Sequence, residues 1–314
     1  MNAPGRTCPT SYCYGARALR VEASLEVESL WIAGGIYGNP FALDALLAAY
    51  EDERGSKALV FNGDFHWLDV ELDDFRRIND AVLALHATRG NVETELAAPH
   101  DGAGCGCGYP DWVGDDTVER SNRILQRLRA TAECLPHTLA LLRALPMHLA
   151  ARVGKARVAI VHGDAESLAG WGFSQEALAT EDGVRRAGEA FAAAGADVFA
   201  CSHTCLPVLQ CFAGGRVLVN NGAAGMPNFR GSHYAVATRI ALTPARESIY
   251  GARCGALFID AVPIRYNSQA WQRRFLEQWP AGSDAHASYW RRIADGPEYS
   301  LESALRRDRQ EIGA

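Results

Sequence analysis

Leu59-Val60-Phe61-Asn62-Gly63-Asp64-Phe65-His66 opens as a short, wholly apolar run, stops at a glycine, and follows it at once with a carboxylate. An open α/β sheet binds ligands in the crevice beyond the carboxyl ends of its strands. An Asp at such an end, beside a Gly that lets backbone approach closely, is a natural metal- or phosphate-handling position. Turns also favour Gly and Asp, so this stretch gains weight from the other strand ends.

Upstream, Leu30-Trp31-Ile32-Ala33 reads as the first buried strand. A turn follows over Gly34–Pro40, then helical spacing at Leu43, Leu46, Leu47 and Tyr50. Downstream, Phe75–Leu85 is an amphipathic helix, and His86–Glu93 a short strand ending in a Gly90-Asn91 turn. Residues 97–117 break the pattern with glycine and proline and read as an excursion loop, of a kind often functional. Residues 117–145 read as helix with a break at Pro136. Further strands are expected at Arg157–Val161, Asp197–Ala200, Val208–Phe212, Val217–Asn220, Tyr234–Leu242 and Ala256–Val262, with a helix at Gln175–Ala194. Alternating strands and helices predict an α/β sheet with mostly parallel neighbours, and the later hairpin-like spacing predicts an antiparallel part.

The chain divides accordingly into an irregular, then mildly helical arm at 1–28, a central domain at 29–265 with a helical insertion at about 95–150, and a helical extension at 266–314. Trp271, Trp279 and Trp290 are the extension's docking aromatics. At 314 residues, 48% hydrophobic and 22% charged, the composition is that of a globular protein. A net charge of −6 argues against a general nucleic-acid or membrane-surface partner. No apolar run approaches the roughly 20 residues a membrane span needs. The first residues lack an apolar signal core, and nine scattered cysteines suit a reducing compartment, so a cytoplasmic location is expected. The sequence sets no oligomeric state.

Collecting the strand ends gives Gly63-Asp64, Gly90-Asn91, His162-Gly163 and Ser202-His203-Thr204. Oxygen and imidazole donors converging at one rim of a sheet suit Mn, Fe or Zn, and a metal there would polarise a phosphoryl oxygen and activate water. Cys105-Gly106-Cys107 has no standard zinc spacing and reads as thiols in a glycine-rich loop. Arg89 and Arg230 are candidate phosphate contacts; Trp67 and Trp171 are core or pocket-wall aromatics.

In this order the motifs resemble those of the calcineurin-like metallophosphoesterases over roughly residues 30–230. Gly35-Ile36-Tyr37-Gly38-Asn39 looks like the first motif, Gly63-Asp64 the second, Gly90-Asn91-Val92-Glu93 the third, His162-Gly163 the fourth and Ser202-His203-Thr204-Cys205 the fifth. Asn220-Asn221-Gly222 resembles the turn that follows. The resemblance implies a four-layer αββα sandwich of two mixed β-sheets flanked by helices. It implies two metal ions sharing Asp64, one of them also held by Asn91, His162 and His203.

The ligands of the other ion are replaced. Where the family has Asp, His and His, this chain has Gly35, Tyr37 and Cys205. Three readings follow. The chain is a one-metal hydrolase; or Cys205 and Tyr37, with His66 within reach, rebuild the second site; or catalysis is lost and the fold binds a ligand or partner. The third motif commonly supplies a leaving-group acid where this chain has Val92, and His66 or Glu93 would have to substitute. The expected activity is hydrolysis of a small-molecule phosphate mono- or diester, with Asp64, His66 and Asn91 at the reacting centre and one or two divalent or trivalent ions as cofactor.

Overall fold

The computed structural model describes residues 3–306. The first strands are β1 (Leu25–Val27), β2 (Ser29–Ala33), β3 (Lys57–Asn62) and β4 (His86–Thr88). Helices α1 (Pro40–Glu51) and α2 (Leu72–Leu83) connect β2 to β3 and β3 to β4, and these three strands run parallel. Helix α1 begins where the sequence dictates: the Asn39 side chain accepts from the Phe41 and Ala42 amides, and Pro40 takes the first helical position.

Next come the helices α3 (Asn91–Ala97), α4 (Asp115–Ala132) and α5 (Pro136–Ala144), then strands β5 (His148–Val153) and β6 (Ala156–Val161). Helix α6 (Glu181–Ala194) precedes β7 (Val198–Cys201), β8 (Val208–Phe212), β9 (Arg216–Asn220), β10 (Ala235–Ala241), β11 (Gly251–Cys254) and β12 (Leu257–Ile264). Helices α7 (Ser268–Gln278), α8 (Asp284–Asp295) and α9 (Leu301–Ala304) and the short β13 (Leu305–Arg306) complete the described chain.

Two mixed sheets result, ordered β11-β12-β10-β2-β3-β4 and β1-β5-β6-β7-β9-β8-β13. Period-two alternation sorts their side chains. Leu30, Ile32, Ala58 and Val60 meet Val158, Ile160, Val198, Ala200, Val217 and Val219 between the sheets. On the opposite face of the first sheet, Trp31, Ala33, Leu59 and Phe61 lie in one cluster with Leu43, Phe75, Ile78, Trp271 and Phe275 of α1, α2 and α7. On the outer face of the second, Ala159, Val161, Phe199 and Leu218 pack on Phe191 of α6. The architecture is the expected four-layer sandwich.

Several local readings change. The arm contains two short 3-10 turns and strand β1, which pairs with β5. The insertion's helices end at Ala144, because His148–Val153 is a strand paired along its length with β6. The stretch after Gly90 is helix: the Glu93 carboxylate accepts the Gly90 amide and so caps it. Trp271 and Trp279 are fully buried, and Arg127 of α4 stacks over Trp279, so insertion and extension pack together. No described helix is long and apolar enough to cross a membrane.

Candidate metal centre

The carboxyl ends of β3, β4, β6 and β7 meet at one rim. Asn62, the last residue of β3, ties the two sheets there: its Nδ2 donates to the Val161 carbonyl (2.9 Å), and its own carbonyl accepts from Ser202 Oγ (2.7 Å). That carbonyl also lies 2.9 Å from His162 Nδ1. Nδ1 therefore carries the proton, and Nε2 points into the rim.

Around His162 Nε2 stand three further donor atoms: Asp64 Oδ2 at 3.2 Å, His203 Nδ1 at 3.2 Å and Asn91 Oδ1 at 3.3 Å. Asp64, His162 and His203 bring one ligand atom each within 4.8 Å of one another, and all are buried. Atoms bound at about 2.1 Å to one ion lie roughly 3.0–3.4 Å apart for octahedral to tetrahedral arrangements. The spacing and the donor set, one carboxylate, one amide oxygen and two imidazoles, fit a single ion of the Mn, Fe or Zn kind.

Backbone carbonyls orient these donors. His203 Nε2 donates to the Cys107 carbonyl (2.9 Å), which turns Nδ1 inward, and Asn91 Nδ2 donates to the Cys105 carbonyl (3.0 Å), which turns Oδ1 inward. Gly106 (φ 69°) and Gly108 (φ 58°) give the loop the left-handed turns that aim these carbonyls. A Cβ on Gly106 would meet the Tyr12 hydroxyl of the arm at 2.5 Å. The Cys-Gly-Cys-Gly stretch thus acts on the cluster through its carbonyls; the Cys105 thiol is buried, while Cys107 lines the cavity with its sulfur 3.5 Å from Asn91 Nδ2.

Burial works against a charge on Asp64, but the neighbouring His162, through its electrostatic influence and hydrogen bond, prevails and holds the carboxylate below its usual range. For His162, burial is likewise outweighed by Asp64, which holds it above the ordinary histidine value. Burial and then the His162 charge push His203 down to about 4, so it is neutral with a free Nδ1 lone pair.

The other half of the expected site is built differently. Tyr37, Asp64 and Cys205 are the three non-glycine residues with left-handed backbone among those described, at φ 52°, 51° and 61°. Each such residue costs about 1–3 kcal/mol and clusters of them mark functional sites. The Tyr37 ring lies over Gly35, so that any side chain there would collide with it. The Tyr37 hydroxyl and the Cys205 thiol lie 2.6 Å apart. Burial, the largest influence on both, raises their pKa values and keeps phenol and thiol protonated. Tyr37 and Cys205 thus face each other, and Cys205 is not part of the group of ligand atoms that Asp64, His162 and His203 form.

His66 and Glu93 also depart from expectation. His66 is fully buried, its Nδ1 lies 2.6 Å from Asp69, and its ring stacks on Phe75, away from the cavity. The reason is local: Asp69, three residues on, captures the imidazole. Glu93 accepts the amides of Asp64, Gly90 and His66, is fully buried and does not line the cavity. Arg89 donates to the Arg143 carbonyl, and Arg230 pairs with Glu298 on the surface.

A cavity of about 190 Å³ opens beside the cluster, lined by Asp64, Asn91, Val92 and His203 and walled by Trp67, Tyr109, Trp171 and Tyr289. Trp171 donates to the Cys107 carbonyl and sets its ring edge-on to His203. Trp112, 62% exposed, stands edge-on to Trp171 at the outside. Arg292 of α8 completes the lining.

No protein-family profile matches this chain, and no curated protein matches it. Solved structures do. They show the fold, which is that of the calcineurin-like metallophosphoesterases. A hypothetical protein from Pyrococcus horikoshii OT3 is similar over 88% of this chain and 100% of its own, with TM-score 0.57 and 16% identity. A metallophosphoesterase from Sphaerobacter thermophilus is similar over 86% of this chain and 100% of its own, with TM-score 0.56 and 18% identity. The likeness at these identities is one of fold.

Proposed function

We propose that this protein is a phosphoesterase that works with one divalent ion, Mn, Fe or Zn, held by Asp64, Asn91, His162 and His203. The observation that carries the reading is the convergence of Asp64 Oδ2, Asn91 Oδ1 and His203 Nδ1 on His162 Nε2 at 3.2–3.3 Å. When bound, such an ion supplies Lewis acidity to phosphoryl oxygens and makes water a stronger acid.

The chain's own residues do the rest. The Val92 amide donates to Asp64 Oδ1 (3.1 Å) and fixes the carboxylate, while the Asn62 and Cys107 carbonyls hold the two imidazole tautomers. Tyr109, Trp171, Trp67 and Tyr289 restrict water and offer faces to the organic part of a small ester. Among the described residues, His203 is the one histidine lining the cavity, and it is taken up by the cluster. The site therefore favours esters whose leaving group departs without a proton.

Metal analysis of protein purified without chelator, together with turnover of 4-nitrophenyl phosphate, tests this. One equivalent of metal is expected, lost together with turnover in His203→Ala. Full turnover in that variant, or no metal in the wild type, defeats the reading. The second reading, a non-hydrolytic ligand-binding protein, is favoured by Val92 standing where the family commonly has its acid; it predicts one bound ion with no turnover of any ester.

A further inference from the structure

We propose that Arg292 grips the phosphoryl oxygens of the substrate from the half of the site that Tyr37 and Cys205 occupy. This rests on the reading of the cluster as a phosphate-ester site. Arg292 comes from α8, in the C-terminal extension, beyond the span of the expected motifs. Its Nε donates to the Pro227 carbonyl (3.0 Å), and its Nη2 to the Cys205 carbonyl (2.8 Å) and Asn228 Oδ1 (3.3 Å). These neutral acceptors pin the guanidinium beside Cys205 and occupy Nε and Nη2. None of these bonds uses Nη1.

Arg292 is the one Lys or Arg lining the cavity among the described residues. It makes no ion pair with a described carboxylate, whereas its neighbour Arg291 is paired with Glu298. A half-buried guanidinium held on neutral oxygens keeps its charge available for an anion, and its planar fork matches phosphate.

Charge balance points the same way. A divalent ion and the Asp64 carboxylate together leave one positive charge. A phosphate monoester dianion brings two negative charges. Arg292 supplies the missing positive charge at the place where a second ion would have stood. Dropping one ion and the carboxylate that the first motif ordinarily carries at position 35 leaves a deficit of one, which a single arginine meets.

The test is binding of inorganic phosphate, measured by calorimetry with and without added Mn, to wild type, Arg292→Lys and Arg292→Gln. Arg292→Gln is expected to weaken phosphate binding about 10- to 100-fold, with Lys recovering part of the loss and metal content unchanged in all three. Equal phosphate affinity in wild type and Arg292→Gln, or no phosphate binding by wild type in either condition, overturns the proposal. So does a loss in which Lys does no better than Gln. Should Arg292→Gln fail to fold, modification of the wild type by phenylglyoxal decides: phosphate must protect the Arg292 peptide, and unprotected modification overturns the proposal. Arginine-dependent phosphate binding without turnover of any ester defeats the hydrolase reading while leaving this one standing.

Discussion

The Tyr37 hydroxyl meets the Cys205 sulfur at 2.6 Å, directly above a glycine that has no side chain to compete for the space. This contact engages, with each other, the two side chains that would have to serve a second ion. Tyr37→Phe and Cys205→Ser are therefore expected to keep one equivalent of metal, with thermal stability lowered by no more than a hydrogen bond's worth, about 1 kcal/mol. Elemental analysis of the two variants checks this. Loss of metal in either would make these residues ligands.

The carbonyl of Cys107 should matter more than its thiol. Cys107→Ala leaves the backbone acceptor for His203 in place, so metal affinity should change little. Gly106→Ala imposes a side chain at φ 69° against the Tyr12 hydroxyl, displaces that carbonyl, and should weaken metal binding about 10- to 100-fold. Competition with a fluorescent chelator measures both. The reverse ranking would return the role to the sulfur.

Leaving-group dependence follows from Val92. A positioned acid is commonly worth about 10²–10⁴ in rate. Without one, aryl phosphates should turn over faster than alkyl phosphates by a factor of that order, and rates across substituted phenyl phosphates should rise steeply as the phenol becomes more acidic. A flat series would mean that a proton is being delivered.

Away from the site, Glu53 anchors both Arg239 and Trp31. The Arg239 hydrogen bond is the main influence on Glu53 and, against burial, holds its pKa below the ordinary value. With the folded pKa depressed, the stabilisation is present above the usual glutamate range and fades as pH falls through the folded value. Glu53→Gln should cost about 1–2 kcal/mol at neutral pH, since it removes one charged partner of a buried guanidinium that keeps Asp260 and the Thr243 carbonyl. The deficit should narrow in acid. Denaturant melts at pH 7 and pH 4 give the comparison; a deficit that widens in acid would reverse the sign.

The architecture was legible because its central strands are apolar through and through: Ser29–Ala33 is wholly buried, and Lys57–Asn62 nearly so. Strands β1 and β5, at one edge of the second sheet, were not. His148–Val153 mixes polar and apolar residues, and Leu25–Val27 is three residues long, so neither carries a clear period. Asp64, Asn91, His162 and His203 could be read from strand-end position alone. Arg292 could not: its place depends on how a C-terminal helix docks. Nor could the service rendered by the Cys105 and Cys107 carbonyls, because every residue has a carbonyl and only the fold shows where it points. The place of His66 was not legible either, because proximity in sequence to Asp64 says nothing of its contact with Asp69.

Gly35 and Tyr37 constrain each other's evolutionary future. A side chain placed at position 35 with the tyrosine present meets its ring, while removing the tyrosine opens a hole above a glycine and leaves the Cys205 thiol without its contact. A change at either position is therefore expected to be tolerated best when the other changes with it, so that the two behave as one unit of substitution.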